Sequence, residues 1–280
     1  MSFVQVLKKR VPRPLHGPWR YCKLRSAALV ESFRDRQIDT ASLQGIPLPP
    51  PVLRYRVHGY LDGPSFLAAG LTCAEEIRRS LKLAGKELYA FHDVLDFGCG
   101  CGRVLRYFHD HPLSCRLYGT DIDRSAIAWC RKNLRFASFN LNPPLPPLSF
   151  ANASFDLVYA FSVFTHLSED YQFSWLQELK RVVKPGGILL VSTHGAYAQA
   201  DIAHNLDFSH DDLQTLQIKG FLFKVLETGR FKLDGLPDFY QCAFHSRQYV
   251  NDVWSRFFKV QLYIERGMNQ HQDLVLLCRE

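Results

Sequence analysis

Three glycines at alternate positions constrain this chain more than any other feature. The apolar segment Val94-Leu95-Asp96-Phe97 is followed by Gly98, Gly100 and Gly102, with Cys99 and Cys101 between them. Glycine at this spacing removes side chains where a strand turns sharply into a helix, so that a ligand can lie against backbone N–H groups. The next apolar stretch, Leu117-Tyr118-Gly119-Thr120, ends in Asp121. An acid at the tip of the second strand of a βαβ unit is placed to accept hydrogen bonds from ribose hydroxyls. The two features together describe a pocket for an adenosine-containing cofactor.

A dinucleotide site carries its third glycine at a position that Arg103 holds here, so that pattern fits imperfectly. The tighter alternation, with Asp96 before it and Asp121 after it, resembles the first motif of class I S-adenosylmethionine-dependent methyltransferases. Further stretches carry the resemblance, which covers roughly residues 90–195. Phe155-Asp156-Leu157-Val158-Tyr159-Ala160 resembles the family's fourth strand, and Leu179 to Gly187 its helix followed by a Lys-Pro-Gly-Gly turn. Ile188 to Thr193 would then be the fifth strand. A nucleotide-binding domain of another kind is the alternative.

Several things are implied by the resemblance. The fold would be α/β, a Rossmann-like doubly wound seven-stranded sheet in the order 3-2-1-4-5-7-6 with the seventh strand antiparallel. The cofactor would be S-adenosyl-L-methionine, held by Asp96, by the loop Gly98, Cys99, Gly100 and Gly102, and by Asp121. Ile122 would pack on the adenine, Asn140 or Leu141 would meet its amino group and N1, and Phe161 would flank the adenosyl or methionyl part. Arg56, in a segment where family members bring a lid over the cofactor, would pair with the methionine carboxylate or form a surface salt bridge. Asn142-Pro143-Pro144-Leu145 is similar to the motif with which some members grip a target amine. It falls one loop too early and lacks the stacking ring, so it reads as a loop.

The same alternation is visible without the resemblance. Strands are expected at 93–97, 115–120, 135–139, 155–160 and 187–193, with helices at 102–109, 124–134 and 169–182. A helix from Ser246 to Phe257 and strands at 259–264 and 273–278 complete the sheet. Residues 196–245 form an aromatic-rich insertion after the fifth strand, and such insertions at the carboxyl edge of a parallel sheet form lids or substrate walls.

The sequence divides into a basic, proline-containing extension (1–50) and a domain (51–280). Within the extension, Tyr21 to Asp39 has helical composition, and Pro47-Leu48-Pro49-Pro50-Pro51 reads as a stiff extended linker. Leu71 to Ala84 reads as a helix with Thr72 as N-cap and Gly85 past its end.

Methyl transfer to a hydroxyl or amine needs a group to take the proton. His166, just past the fourth strand, is the candidate base; packing against the following helix is its other reading. His194 is a second candidate. His245, Tyr240 and Tyr249 line an acceptor pocket or belong to the core.

Composition limits the remaining choices. No apolar run reaches the ~18 residues that span a bilayer, and the N-terminal basic residues follow the apolar patch Phe3–Leu7, the wrong order for a secretory signal. The eight cysteines form no C-x-x-C pair, and no His/Cys pair stands near Cys99 and Cys101. No metal is expected, and the thiols read as reduced in a cytoplasmic protein. The net charge of +7 is concentrated early: Met1 to Val30 holds Lys8, Lys9, Arg10, Arg13, Arg20, Lys23 and Arg25 and no acid. A solvated extension is favoured over a polyanion or anionic-lipid contact. The expected activity is methyl transfer to a small or medium-sized acceptor, its O, N or C atom undetermined. The alternatives are an RNA or protein methyltransferase, with nucleic acid reached through the basic N-terminus, and a catalytically silent cofactor-binding module. Oligomeric state is not legible.

Overall fold

The computed structural model describes residues 16–39, 45–112, 114–206, 208–226, 228–229 and 232–280. Residues 1–15 and 40–44 of the basic extension thus lie outside the described residues.

A seven-stranded sheet organises the domain. Its strands are β1 (Asp93–Phe97), β2 (Arg116–Asp121), β3 (Ser138–Leu141), β4 (Phe155–Ala160), β5 (Val183–Thr193), β8 (Lys259–Met268) and β9 (Gln272–Cys278). Two further strands, β6 (Phe221–Lys224) and β7 (Cys242–His245), form a separate hairpin in the insertion. The sheet order is β3-β2-β1-β4-β5-β9-β8. With the insertion's hairpin left out of the count, that is the expected 3-2-1-4-5-7-6. β1 to β5 pair in parallel, and β9 runs antiparallel to both neighbours.

Burial on both faces explains the near-continuous apolar strands. Successive side chains alternate sides. Val94, Leu117, Leu157 and Leu190 pack with Ile77, Leu105, Phe108 and Cys130 on one face. Leu95, Phe97, Val158 and Leu189 pack with Trp175, Leu176, Leu179 and Trp254 on the other. The parallel strands also share a direction, so their carboxyl ends and the loops after them converge on one edge.

The helices are α1 (His16–Arg34), α2 (Pro51–His58), α3 (Gly63–Leu83), α4 (Arg124–Asn133), α5 (Glu169–Val182), α6 (Ala196–Leu206), α7 (His210–Lys219) and α8 (Arg247–Val253). Four expectations need correction. The predicted linker ends one residue early: Pro51 opens α2, where proline's missing N–H costs nothing. The helix expected from Leu71 begins at Gly63, because Asp62 caps it through Ser65 N–H, and Thr72 instead bonds the Ala68 carbonyl inside α3. Only a 3₁₀ turn, Leu105–Phe108, follows the glycine loop, since Gly102 at φ +72° delays the helix and Pro112 ends it. β3 starts three residues later than expected, after α4 and a turn.

The Lys-Pro-Gly-Gly turn is absorbed into β5 as a slip in register, between Phe155↔Val183 and Leu157↔Ile188. Its Lys184 ties the strands together by bonding both Asp93 and Asp156 at 3.0 Å.

Arg54 is fully buried and holds the N-terminal helices in place. It makes a two-pronged ion pair with Asp35 (2.9 Å each) and donates to the carbonyls of Pro49 and Leu61. That bracket fixes α2, whose next turn carries Arg56 and Val57 over the carboxyl edge of the sheet.

Candidate active site

A cavity of about 990 Å³, including its mouth, opens at that edge. One wall comes from the ends of β1 and β2: Asp96, Gly98, Cys99, Arg103, Asp121, Ile122 and Asp123. The opposite wall comes from the tip of β4, α5 and the insertion, including Phe161, His166, Trp175, Phe239 and Tyr240.

The β1 wall is built by internal hydrogen bonds. Gly98 and Cys99 N–H both donate to the Thr120 carbonyl, at 2.8 and 3.0 Å. Gly100 N–H donates to Asp121 Oδ2 at 2.7 Å, and Asp123 N–H to Asp121 Oδ1 at 2.7 Å. The loop amides expected to face a ligand are thus committed to β2. Gly98, at φ +82°, lines the cavity, whereas Gly100 and Gly102 do not. A Cβ at Gly100 would meet Val57 at 2.2 Å, and one at Gly102 would meet Leu134 at 2.3 Å. Those two glycines serve the close packing of the loop against its neighbours.

Each Asp121 oxygen accepts one backbone N–H and keeps a further lone pair. Burial pushes its pKa up, against the pull of those N–H groups. Asp96 is more extreme. Its Oδ2 is buried without a hydrogen-bond partner. Burial pushes its pKa up to about 8, with the Asp121 charge adding to the rise and the nearby Tyr159 hydroxyl and Arg103 opposing it.

Arg56 lines the cavity, with its Nη1 bonded to Asp123 Oδ2 at 2.6 Å. Ile122 and Phe161 face the cavity, whereas Asn140 and Leu141 do not. Asn140 is a strand residue whose carbonyl takes the Thr120 hydroxyl, and Leu141 packs on the core. The later start of β3 moves the edge of the site to Asn142 and Pro144. Asn142 bonds the Thr120 hydroxyl (2.9 Å) and the Pro143 carbonyl (2.8 Å), so its side chain is not poised to grip an amine.

Past β4 the backbone is strained. Ser162 sits at φ 55°, held by its N–H on Ser192 Oγ and its carbonyl on the Tyr240 hydroxyl, both at 2.7 Å. Four residues on, His166 enters the cavity wall. Its Nδ1 bonds the Gln241 carbonyl, and its ring stacks on Tyr240 at 4.3 Å and 21°. Burial pushes its pKa down to about 4. His194 and His245 do not line the cavity. His194 bonds the Ala243 carbonyl at 3.1 Å, and His245 bonds Gln172 at 3.0 Å in the core. Tyr249 is likewise outside, donating to Glu169 at 2.7 Å.

Sequence reading missed Arg103, Asp123, Trp175, Leu236 and Phe239 as cavity residues. Arg103 was visible only as a misfit to the dinucleotide pattern. Nothing in the periodicity of α5 marks Trp175 as facing a cavity in preference to core.

Comparison with known proteins agrees with this architecture. Residues 95–191 match a family model described as "Methyltransferase domain". A probable S-adenosylmethionine-dependent methyltransferase of Mycolicibacterium smegmatis is 36% identical over 105 residues, 37% of this chain and 38% of that one. The malonyl-[acyl-carrier protein] O-methyltransferase of Enterobacter lignolyticus is 31% identical over 38% of this chain and 40% of its own. Methyltransferase GfsG of Streptomyces halstedii is 27% identical over 62% of this chain and 58% of its own. The chain therefore spans well under two thirds of the length of these relatives. A solved structure from Pyrococcus horikoshii shares the fold, with TM-score 0.50 and 18% identity over 81% of this chain and 98% of that one. The glycine loop, the acid at 121, the strand order and the family match agree: residues 95–191 belong to a methyltransferase domain.

Proposed function

We propose that the chain transfers a methyl group from S-adenosyl-L-methionine to a small, uncharged acceptor bearing a hydroxyl or amine proton, with His166 as the base. The residues present suit the cofactor. Asp121 keeps lone pairs for two sugar hydroxyls, Ile122 offers an apolar face to a base, and the unpartnered Asp96 Oδ2 suits a cationic group. The cofactor, when bound, supplies an electrophilic methyl carried on a sulfonium.

The observation that carries the acceptor assignment is the fixed imidazole. With Nδ1–H given to the Gln241 carbonyl, Nε2 is left as the proton acceptor. A pKa near 4 keeps the ring neutral at physiological pH, ready to receive a proton although a weak base. Trp175, Leu167, Leu236, Phe239 and Tyr240 surround the acceptor side, and they exclude water and favour a flat apolar compound. The cavity's acids and arginines, Arg56, Asp96, Arg103, Asp121 and Asp123, all come from α2, from β1 and β2, and from the loops after those strands. We place the reaction in the cytoplasm, which suits eight free cysteines, and assign 1–50 as an extension to the catalytic domain.

The test is to incubate the protein with methyl-labelled S-adenosylmethionine and, separately, a small-molecule extract, RNA and protein fractions. Label in the small-molecule fraction alone is expected. Label only in RNA or protein would replace the acceptor assignment, and cofactor binding with no transfer to any fraction would make the domain a silent binding module.

A further inference from the structure

The basic helix α1 leaves a face with no counterpart in the catalytic site. Leu29, Val30 and Phe33 are 67%, 52% and 63% exposed. At spacings of one and four residues they share one side of the helix. Ala28, only 6% exposed, marks the opposite side that rests on the domain. Isolated exposed apolar residues are ordinary, but three adjacent ones on a helix are a patch.

One cation meets that patch and two more lie along the same helix. Arg36 lies over the Phe33 ring at 5.1 Å, Arg25 over Tyr21 at 5.9 Å and Lys23 over Trp19 at 5.4 Å. The helix holds one acid, Glu31, which is bonded to Arg34 at 2.7 Å. The next acid, Asp35, is taken up by Arg54. The sequence just before α1 adds Lys8, Lys9, Arg10 and Arg13, again with no acid.

We propose that α1 docks on an anionic lipid surface, its Leu29–Val30–Phe33 face set among acyl chains and its cations among lipid phosphates. A helix lying in the membrane interface needs both elements, an apolar face to insert and a basic margin to meet headgroups. A nucleic-acid backbone would use the cations and leave the aliphatic side chains without a partner. This docking is independent of the methyl-transfer reading.

The full chain is to be spun with vesicles of phosphatidylcholine alone and with vesicles containing one third phosphatidylglycerol. Pelleting with the anionic vesicles only, weakened by added salt, is expected. The variant Leu29→Ser/Val30→Ser/Phe33→Ser and the variant Lys23→Glu/Arg25→Glu should each reduce it at least tenfold while thermal unfolding stays unchanged. Four results would overturn the proposal: no pelleting with either vesicle, pelleting indifferent to the apolar variant, displacement by RNA at equal phosphate, or an apolar variant that changes only the oligomeric state.

Discussion

His166 and Tyr240 lie face to face, and each is fastened to a backbone carbonyl of the other's segment. The imidazole Nδ1 donates to the carbonyl of Gln241, and the Tyr240 hydroxyl donates to the carbonyl of Ser162 at 2.7 Å. The Gln241 N–H returns to the His166 carbonyl at 2.9 Å, so the insertion is latched to the strand-four turn by three bonds. The latch fixes which imidazole nitrogen faces the cavity.

His166→Gln should therefore lower kcat by roughly 10²- to 10³-fold while leaving the dissociation constant for S-adenosylmethionine unchanged. With its pKa near 4, the base stays neutral well below the usual histidine range. The kcat profile of the native enzyme should run flat from pH 7.5 down to about 5 and fall only as the pH nears 4. A break near 6.5 would remove His166 from that role.

Tyr240→Phe keeps the stacked ring and loses the bond to Ser162. Loss of one such bond is worth about 1 kcal/mol, so acceptor KM should rise roughly fivefold with kcat little altered. Tyr240→Ala, which also removes the stacking surface, should depress kcat as well. Steady-state kinetics on the two variants separate the bond from the ring.

Much of this site was legible before the fold was known. Asp96, Asp121, Ile122 and Phe161 sit at strand ends, which are fixed by apolar runs closed with acids and glycines, and His166 closes the turn after the fourth strand. What failed was register at the short third strand. Ser138–Leu141 has four residues and no breaker to set its start, so the cavity residue is Asn142 in place of Asn140 or Leu141. The role of Gly100 and Gly102 was also misread. Their need for glycine is visible in sequence, but Val57 and Leu134, the side chains that fill the space, come from distant elements. The end of the N-terminal proline run was hidden for a similar reason, since α2, which Pro51 opens, is bracketed by the Arg54–Asp35 pair from a distant element.

Asp121 has two tasks that substitution separates. Asp121→Asn keeps a side-chain oxygen for one of the two backbone donors, while Asp121→Ala leaves both Gly100 and Asp123 N–H without it. Each buried donor left unpaired costs about 1–3 kcal/mol. Calorimetric titration should show weakened cofactor binding in both variants, and thermal unfolding should show a lower Tm in both, with the larger drop for the alanine.

Acid should loosen this fold through histidines held neutral inside it. Burial pushes His245 down to about 3 and His194 well below its ordinary value. The unfolded chain takes up protons near pH 6.5, whereas the folded chain takes them up on these rings only at much lower pH. Stability is thus fully present above about 6.5 and is lost as the pH falls toward 3. His245→Phe removes one such group. Its Tm should be lower at pH 7.5, because Gln172 loses its partner, yet its drop between pH 7.5 and 5 should be smaller than the native drop.

Asp96 presents the opposite sign, and it sets function against stability. Its folded pKa of about 8 lies far above the unfolded value near 3.9, so the folded state holds a proton that the unfolded state has released. Stability from this group therefore declines as pH rises from about 4 to 8. Asp96→Asn has no proton to lose. Its Tm should equal the native value near pH 4 and exceed it at pH 8. The same change should weaken S-adenosylmethionine roughly 10- to 100-fold, the worth of a charge-assisted hydrogen bond. A cation arriving beside Asp96 should also expel its proton. Titrations at pH 7 in buffers of different ionisation enthalpy should then report proton release for the native protein and none for Asp96→Asn. Equal release from both proteins would mean that the ionising group lies elsewhere.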